Sequence, residues 1–308
     1  MSFVFIAIGS YFLTASATIL DKFIISSKRV GHPAEYTFFV GLFSAFTLII
    51  FFPFGFHLIA FGKMLVIFLF SSLYLFGLLS LFFAFRKNEA SRVVPVVGVV
   101  TTLTSFLISL LIFKDVFNPV NLWGIPVLLL GGILISLKIS KSNLVKIFSS
   151  FHLAVLSGFF LGIAFSSFEY FYKQDNFFNV FIWTRLGVFL GALSLLSVPF
   201  WRRKIFASFK KPKNKKAEKK NIKTGLLFLT SKLLGGLGSV TFNLAISLGS
   251  VAIVNALVAT EYVFVFFMSL LFSQKYPTSF KEKMDIRTII QKTVAIFIIA
   301  IGVAMVAA

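Results

Sequence analysis

Apolar residues run along this chain in blocks of about twenty, separated by short clusters of charge, Pro and Gly. At 1.5 Å of rise per residue, a helical block of that length crosses the roughly 30 Å hydrocarbon core of a bilayer. Ten blocks can be bracketed, near residues 3–20, 36–56, 64–85, 93–113, 120–138, 151–172, 178–200, 224–247, 251–273 and 288–307. Barrel strands would be about half as long and would alternate strictly. The pattern therefore predicts an all-α integral membrane protein with ten transmembrane helices. The first block enters apolar sequence directly after Met1-Ser2 and is followed by Asp21-Lys22, without a basic leader or a small-residue cleavage site, so it reads as a retained helix.

The blocks repeat. Val94 to Asp115 and Val254 to Lys275 carry the same apolar run through Ser-Leu-Leu, and other anchors keep the same order around it. Ala84-Phe85 matches Ala245-Ile246, Gly131-Gly132 matches Gly302, and Asp21 matches Glu169. The chain divides into a first five-helix repeat over 1–140 and a second over 141–308, the second containing a basic loop at 201–223.

Composition adds that the chain cannot fold in water: 58% of residues are apolar, 44 are Phe, and only 13% are charged. The 30 basic residues are unevenly placed. The odd-numbered connections, with Lys138 and Lys292 at the adjoining block ends counted to them, hold 3, 3, 3, 11 and 5 of them, whereas the even-numbered ones hold Lys63, Lys114 and Lys173. Short basic loops stay cytoplasmic, which puts the odd loops inside and both termini outside a cell (inner) membrane crossed many times. The loop at 201–223 is read either as a solvated topology anchor or as a contact for anionic lipid headgroups. Nucleic acid is not an expected partner, because no folded soluble module accompanies the charge.

There is no Cys, and His32, His57 and His152 share no ligand spacing. Neither a P-loop nor a nucleophile elbow nor a His-Glu-x-x-His motif is present. No enzyme activity, metal or cofactor is expected.

Candidate chemistry comes from ionisable residues inside the blocks, which are costly against lipid and turn toward the bundle interior. Glu261 and Lys232 fall near mid-block on consecutive spans, where they either pair as a strut or line a cavity, meeting an amine or proton and an anionic group respectively. Arg185 either snorkels or contacts an anionic substrate group. Asp21 and Glu169, at equivalent span ends, are candidate gate or coupling residues. Asn243 and Thr101 supply hydrogen bonds, and Trp183, Tyr262, Tyr74 and Tyr11 supply aromatic walls. Both charge signs beside aromatics favour a small polar, amino-acid-like metabolite as substrate.

Two helix junctions, Ala84-Phe85-Arg86-Lys87-Asn88-Glu89-Ala90-Ser91 and Ala245-Ile246-Ser247-Leu248-Gly249-Ser250-Val251-Ala252, are similar to the Ala-Leu-x-x-x-x-Ala-x-x-Ala pattern of EamA-type transporters of the drug/metabolite transporter superfamily. Asp115 after Phe113-Lys114 and the Gly-containing fifth helices add to the resemblance, and Arg185 matches an Arg that the family often carries. Thr101 and Glu261 stand where the family often has Pro, and its members are usually drawn with cytosolic termini. The resemblance implies a secondary transporter of two inverted five-helix repeats, with substrate near the midplane and alternating access by rocking. No ATP-binding segment accompanies it, so a substrate or proton gradient would drive export, by a monomer or homodimer. A flippase or carrier of lipid-linked or sugar-phosphate substrates is the alternative.

Overall fold

The computed structural model describes residues 2–27, 29–114, 117–139, 145–147, 149–209, 215–248, 257–280, 282 and 285–306. Its elements in chain order are α1 (Ser2–Ser26), α2 (Pro33–Ser44), α3 (Phe46–Phe51), α4 (Phe61–Lys87), α5 (Ala90–Ile108) and α6 (Pro119–Ser136). A two-stranded antiparallel hairpin follows, β1 (Leu137–Ile139) with β2 (Val145–Ile147). The second half holds α7 (Phe151–Tyr172), α8 (Phe177–Ser194), α9 (Pro199–Ser208), α10 (Lys215–Leu248), α11 (Ala259–Lys275), α12 (Pro277–Phe280) and α13 (Ile286–Val306). Among the described residues, nine helical stretches are long and apolar enough to cross a membrane. The chain is a multi-pass, helical membrane protein. The ninth block of the sequence begins outside the described residues and continues as α11.

Local chemistry sets several boundaries. Pro33 and Pro119 open α2 and α6, where a missing N–H costs nothing. Asn118 and Asn121 form a reciprocal capping box at α6, with bonds of 3.0 and 2.9 Å. The span begun by α5 continues through a π turn at Ser109–Phe113 and stops at Lys114, which takes the left-handed conformation at φ 57°.

Two sequence expectations are corrected. The first helix does not end at residue 20 but runs to Ser26, so Asp21 and Lys22 lie within it. The helix can continue because both charges find partners. The basic segment 201–223 is not an irregular loop either: α9 reaches Ser208 and α10 starts at Lys215. Lys, Ala and Glu are good helix formers, and α10 extends well beyond its apolar part.

Helix packing follows a regular scheme. α1 lies against α10 and α11, α7 against α4 and α5, α6 against α13, and α2 and α4 against α8. Small residues permit these approaches. A Cβ at Gly302 would come within 2.7 Å of the Leu128 backbone nitrogen, and one at Gly158 within 2.6 Å of the Val97 carbonyl. Lys22 bonds the Asn88 carbonyl, Ser149 bonds the Asn88 side chain, Arg92 bonds the Leu137 carbonyl and Lys292 pairs with Glu89, so these helix ends meet at one end of the bundle, here termed the basic end.

Candidate functional site

An ionised side chain inside an apolar bundle needs partners, and the structure assigns them differently from the sequence reading. The Lys232 ammonium lies 2.8 Å from Asp21 Oδ2, and both side chains are largely buried. Tyr36 donates its hydroxyl to Asp21 Oδ1 at 2.5 Å, and Ser231 donates to the same oxygen. Lys232 also sits over the rings of Tyr36 and Phe228, at 5.3 and 5.7 Å. One carboxylate thus ties α1 to α2 and α10. The next residue, Lys22, donates to the carbonyls of Phe85 and Asn88, two acceptors at the end of α4 that no longer have helical donors.

The strut between Lys232 and Glu261 considered from the sequence is not formed. The reason is packing, since α1 lies between α10 and α11 and offers Asp21 to the lysine. Glu261, half-buried in the first turn of α11, has no ion-pair or side-chain hydrogen-bond partner among the described residues. Its carboxylate acts electrostatically on Tyr11 of α1 and on Tyr262. Tyr262 is buried with its hydroxyl against α5, where a Cβ on Gly98 would lie 1.8 Å from it. Tyr11 is buried edge-to-face with Phe242. Glu261, Tyr262 and Tyr11 therefore share the junction of α11 and α1, with Gly98 of α5 against it.

Arg185 occupies a second polar position. Its guanidinium lies 4.6 Å over Phe181 and 5.7 Å over Tyr74, and no carboxylate pairs with it among the described residues. Tyr74 in turn packs against Phe165 and Phe168 of α7. Aromatic faces stabilise such a cation by about 0.5–2 kcal/mol, without neutralising it.

The remaining sequence candidates are dispersed. Trp183 donates its indole N–H to the His57 carbonyl at 3.1 Å and packs on Phe56 and Phe68, which pins the connection 55–60 to α8. Beside it, Asp175 accepts from Asn179 at 3.0 Å and faces His57 at 3.2 Å. The Thr101 hydroxyl donates to the Gly158 carbonyl at 3.2 Å, a bond between helices. Glu169 pairs with Lys173 at 2.9 Å, but both side chains are exposed, so the equivalence with Asp21 in sequence is not one of environment. The side chain of Asn243 lies outside the described residues, as does Asp115.

Sequence reading missed a charged cluster at the basic end. Lys292 of α13 lies 2.5 Å from Glu282 and 2.8 Å from Glu89, and Arg92 lies 2.7 Å from Glu89. All four side chains are buried. Ser91 donates to Glu282 at 2.8 Å, and Arg92 donates to the carbonyls of Ile135 and Leu137. Burial raises the Glu89 carboxyl, but the Lys292 and Arg92 cations outweigh it and hold the group below its ordinary value. Glu89 and Arg92 at i, i+3 were a visible signal, and Lys292 inside an apolar helix was another. Both cations fall among the basic residues that the charge pattern assigns to the odd-numbered connections. Among the described residues, no group of three His, Asp or Glu side chains is arranged to hold a metal ion.

The chain matches no protein-family model, and no curated protein shows significant similarity to it.

Proposed function

We propose that this chain is a secondary transporter of small polar, amino-acid-like metabolites, an exporter working by alternating access and built as two inverted five-helix repeats in the manner of EamA-type transporters. The observation that carries the reading is Glu261, a carboxyl within the bundle that has two tyrosines and no cation beside it among the described residues. A carboxyl of that kind is free to take an amine or a proton in turn. An acid that holds helices together in this state would be neutralised, as Asp21 and Glu89 are.

Packing supports the repeat. Advancing each span by five converts the contact of α1 with α10 and α11 into that of α7 with α4 and α5, and α6 with α13 and α2 with α8 exchange with themselves. Several relations depart from the scheme, most of them at α10: α4 lies against α1, α2 and α5, and no comparable packing of α10 on α7, α8 or α11 is seen among the described residues. α4 packs closely on α8, whereas its counterparts α10 and α2 meet through the rings of Phe228, Tyr36 and Phe43. Two halves caught in one state of a rocking cycle would differ in this way. In that cycle the Asp21–Lys232 contact is a latch at the basic end, and Glu169, its sequence equivalent, is solvated.

The second reading, a flippase or carrier of lipid-linked or sugar-phosphate substrates, is favoured by Arg185, a cation that aromatic faces hold with no acid beside it among the described residues. Uptake and efflux of labelled amino acids and polar metabolites in proteoliposomes, with and without a pH gradient, tests both. Movement of a substrate, with pH dependence lost in Glu261→Gln, supports proton-coupled transport. No movement by folded protein, together with movement of a phosphate-bearing substrate that Arg185→Gln abolishes, overturns the first reading in favour of the second.

A further inference from the structure

A groove of about 290 Å³ lies at the basic end, lined by Arg29, just beyond α1, and by Lys223, Leu226, Leu227 and Thr230 of α10. It belongs to neither the Glu261 junction nor the Arg185 position. Three features define what it accepts. Its only charged lining groups are two cations, and neither has an ion-pair partner among the described residues. Arg29 is held with its guanidinium 5.1 Å over the Phe23 ring, and its Nε is buried without an acceptor. One turn toward the middle of α10 the lining becomes leucine, and Leu226, like Ile222 and Leu229 beside it, is exposed on a helix that enters the apolar layer.

Positive charge above and apolar surface below form one amphipathic site. The geometry points to a binding site for a phosphate group, presented as the headgroup of an anionic lipid whose acyl chain follows Leu226 and Leu229. Arginine suits this role because its planar fork bonds phosphate oxygens in parallel, and Lys223 contributes a point charge. The proposal does not depend on the transport reading, since it concerns the lipid-facing side of α10.

Native mass spectrometry of the full chain in neutral detergent tests it, with phosphatidylglycerol, phosphatidylcholine and inorganic phosphate as probes. The expected result is retention of phosphatidylglycerol over phosphatidylcholine, weakened about 25-fold in Arg29→Gln/Lys223→Gln. Arg202→Gln/Arg203→Gln, which removes equal charge from α9 outside the groove, should leave retention unchanged. Should the double variant fail to fold, Lys223→Gln alone, at an exposed position, is expected to weaken binding about fivefold. Equal loss in the α9 control shows diffuse attraction and overturns the site, as does equal retention of the two lipids. Displacement of lipid by inorganic phosphate overturns the lipid assignment and gives the site to soluble phosphates.

Discussion

Lys232 of α10 is bonded to Asp21 of α1 at 2.8 Å, across 211 residues of sequence, while Glu261 is left without a cation among the described residues. This distribution separates a structural pair from an available acid, and the two should respond differently to substitution.

Asp21→Asn leaves a mostly buried ammonium with no carboxylate. Thermal unfolding in detergent should show a loss of about 3–5 kcal/mol, and replacing both residues together, as Asp21→Leu/Lys232→Met, should recover most of it. A double variant as unstable as the single one would mean that Tyr36 and Ser231, not the ion pair, hold the three helices.

Glu261→Gln should be nearly silent in the same unfolding measurement, because Glu261 forms no salt bridge among the described residues and the shape is kept. Its effect is expected in transport alone, as loss of the response to a pH gradient. A large drop in stability would identify Glu261 as a structural acid.

Glu169→Gln is the contrasting control. Its pair with Lys173 is an exposed i, i+4 contact, so stability should hardly change, even though the residue matches Asp21 in the repeat.

Glu89 predicts the acid response. Its folded-state pKa lies below the unfolded one, so the stability it contributes is present above about pH 4.3 and disappears as the pH falls through the folded value. Glu89→Gln should therefore be less stable than the parent at neutral pH, by about 2 kcal/mol, and the difference should shrink in acid. Unfolding curves at neutral and acid pH for both proteins check this.

Gly302→Ala probes the contact of α6 with α13. The new methyl would meet the Leu128 backbone, which cannot rotate away, and a loss of about 1–3 kcal/mol is expected in thermal unfolding. Gly225→Ala, where a Cβ meets nothing within 4 Å, should not destabilise and serves as the reference.

The membrane class and most helix positions were legible from hydropathy alone, because a bilayer requires long apolar helices whatever they pack against. The basic end was equally visible, since charge in short connections is a local property. Partner choice was not. Glu261 and Lys232 look matched in sequence, at similar depth on consecutive spans, yet α1 stands between their helices and takes the lysine. Asp21 and Glu169 look equivalent, yet one is buried against α10 and the other faces outward. Arg92, Glu89, Glu282 and Lys292 look like scattered loop charges, yet they meet in one buried cluster. Which segments are helical and apolar can be read position by position, because it follows from each segment's own interaction with lipid. Which charges are neutralised is a matter of packing, because a buried ion pair depends on the few ångströms between helices that are distant in the chain.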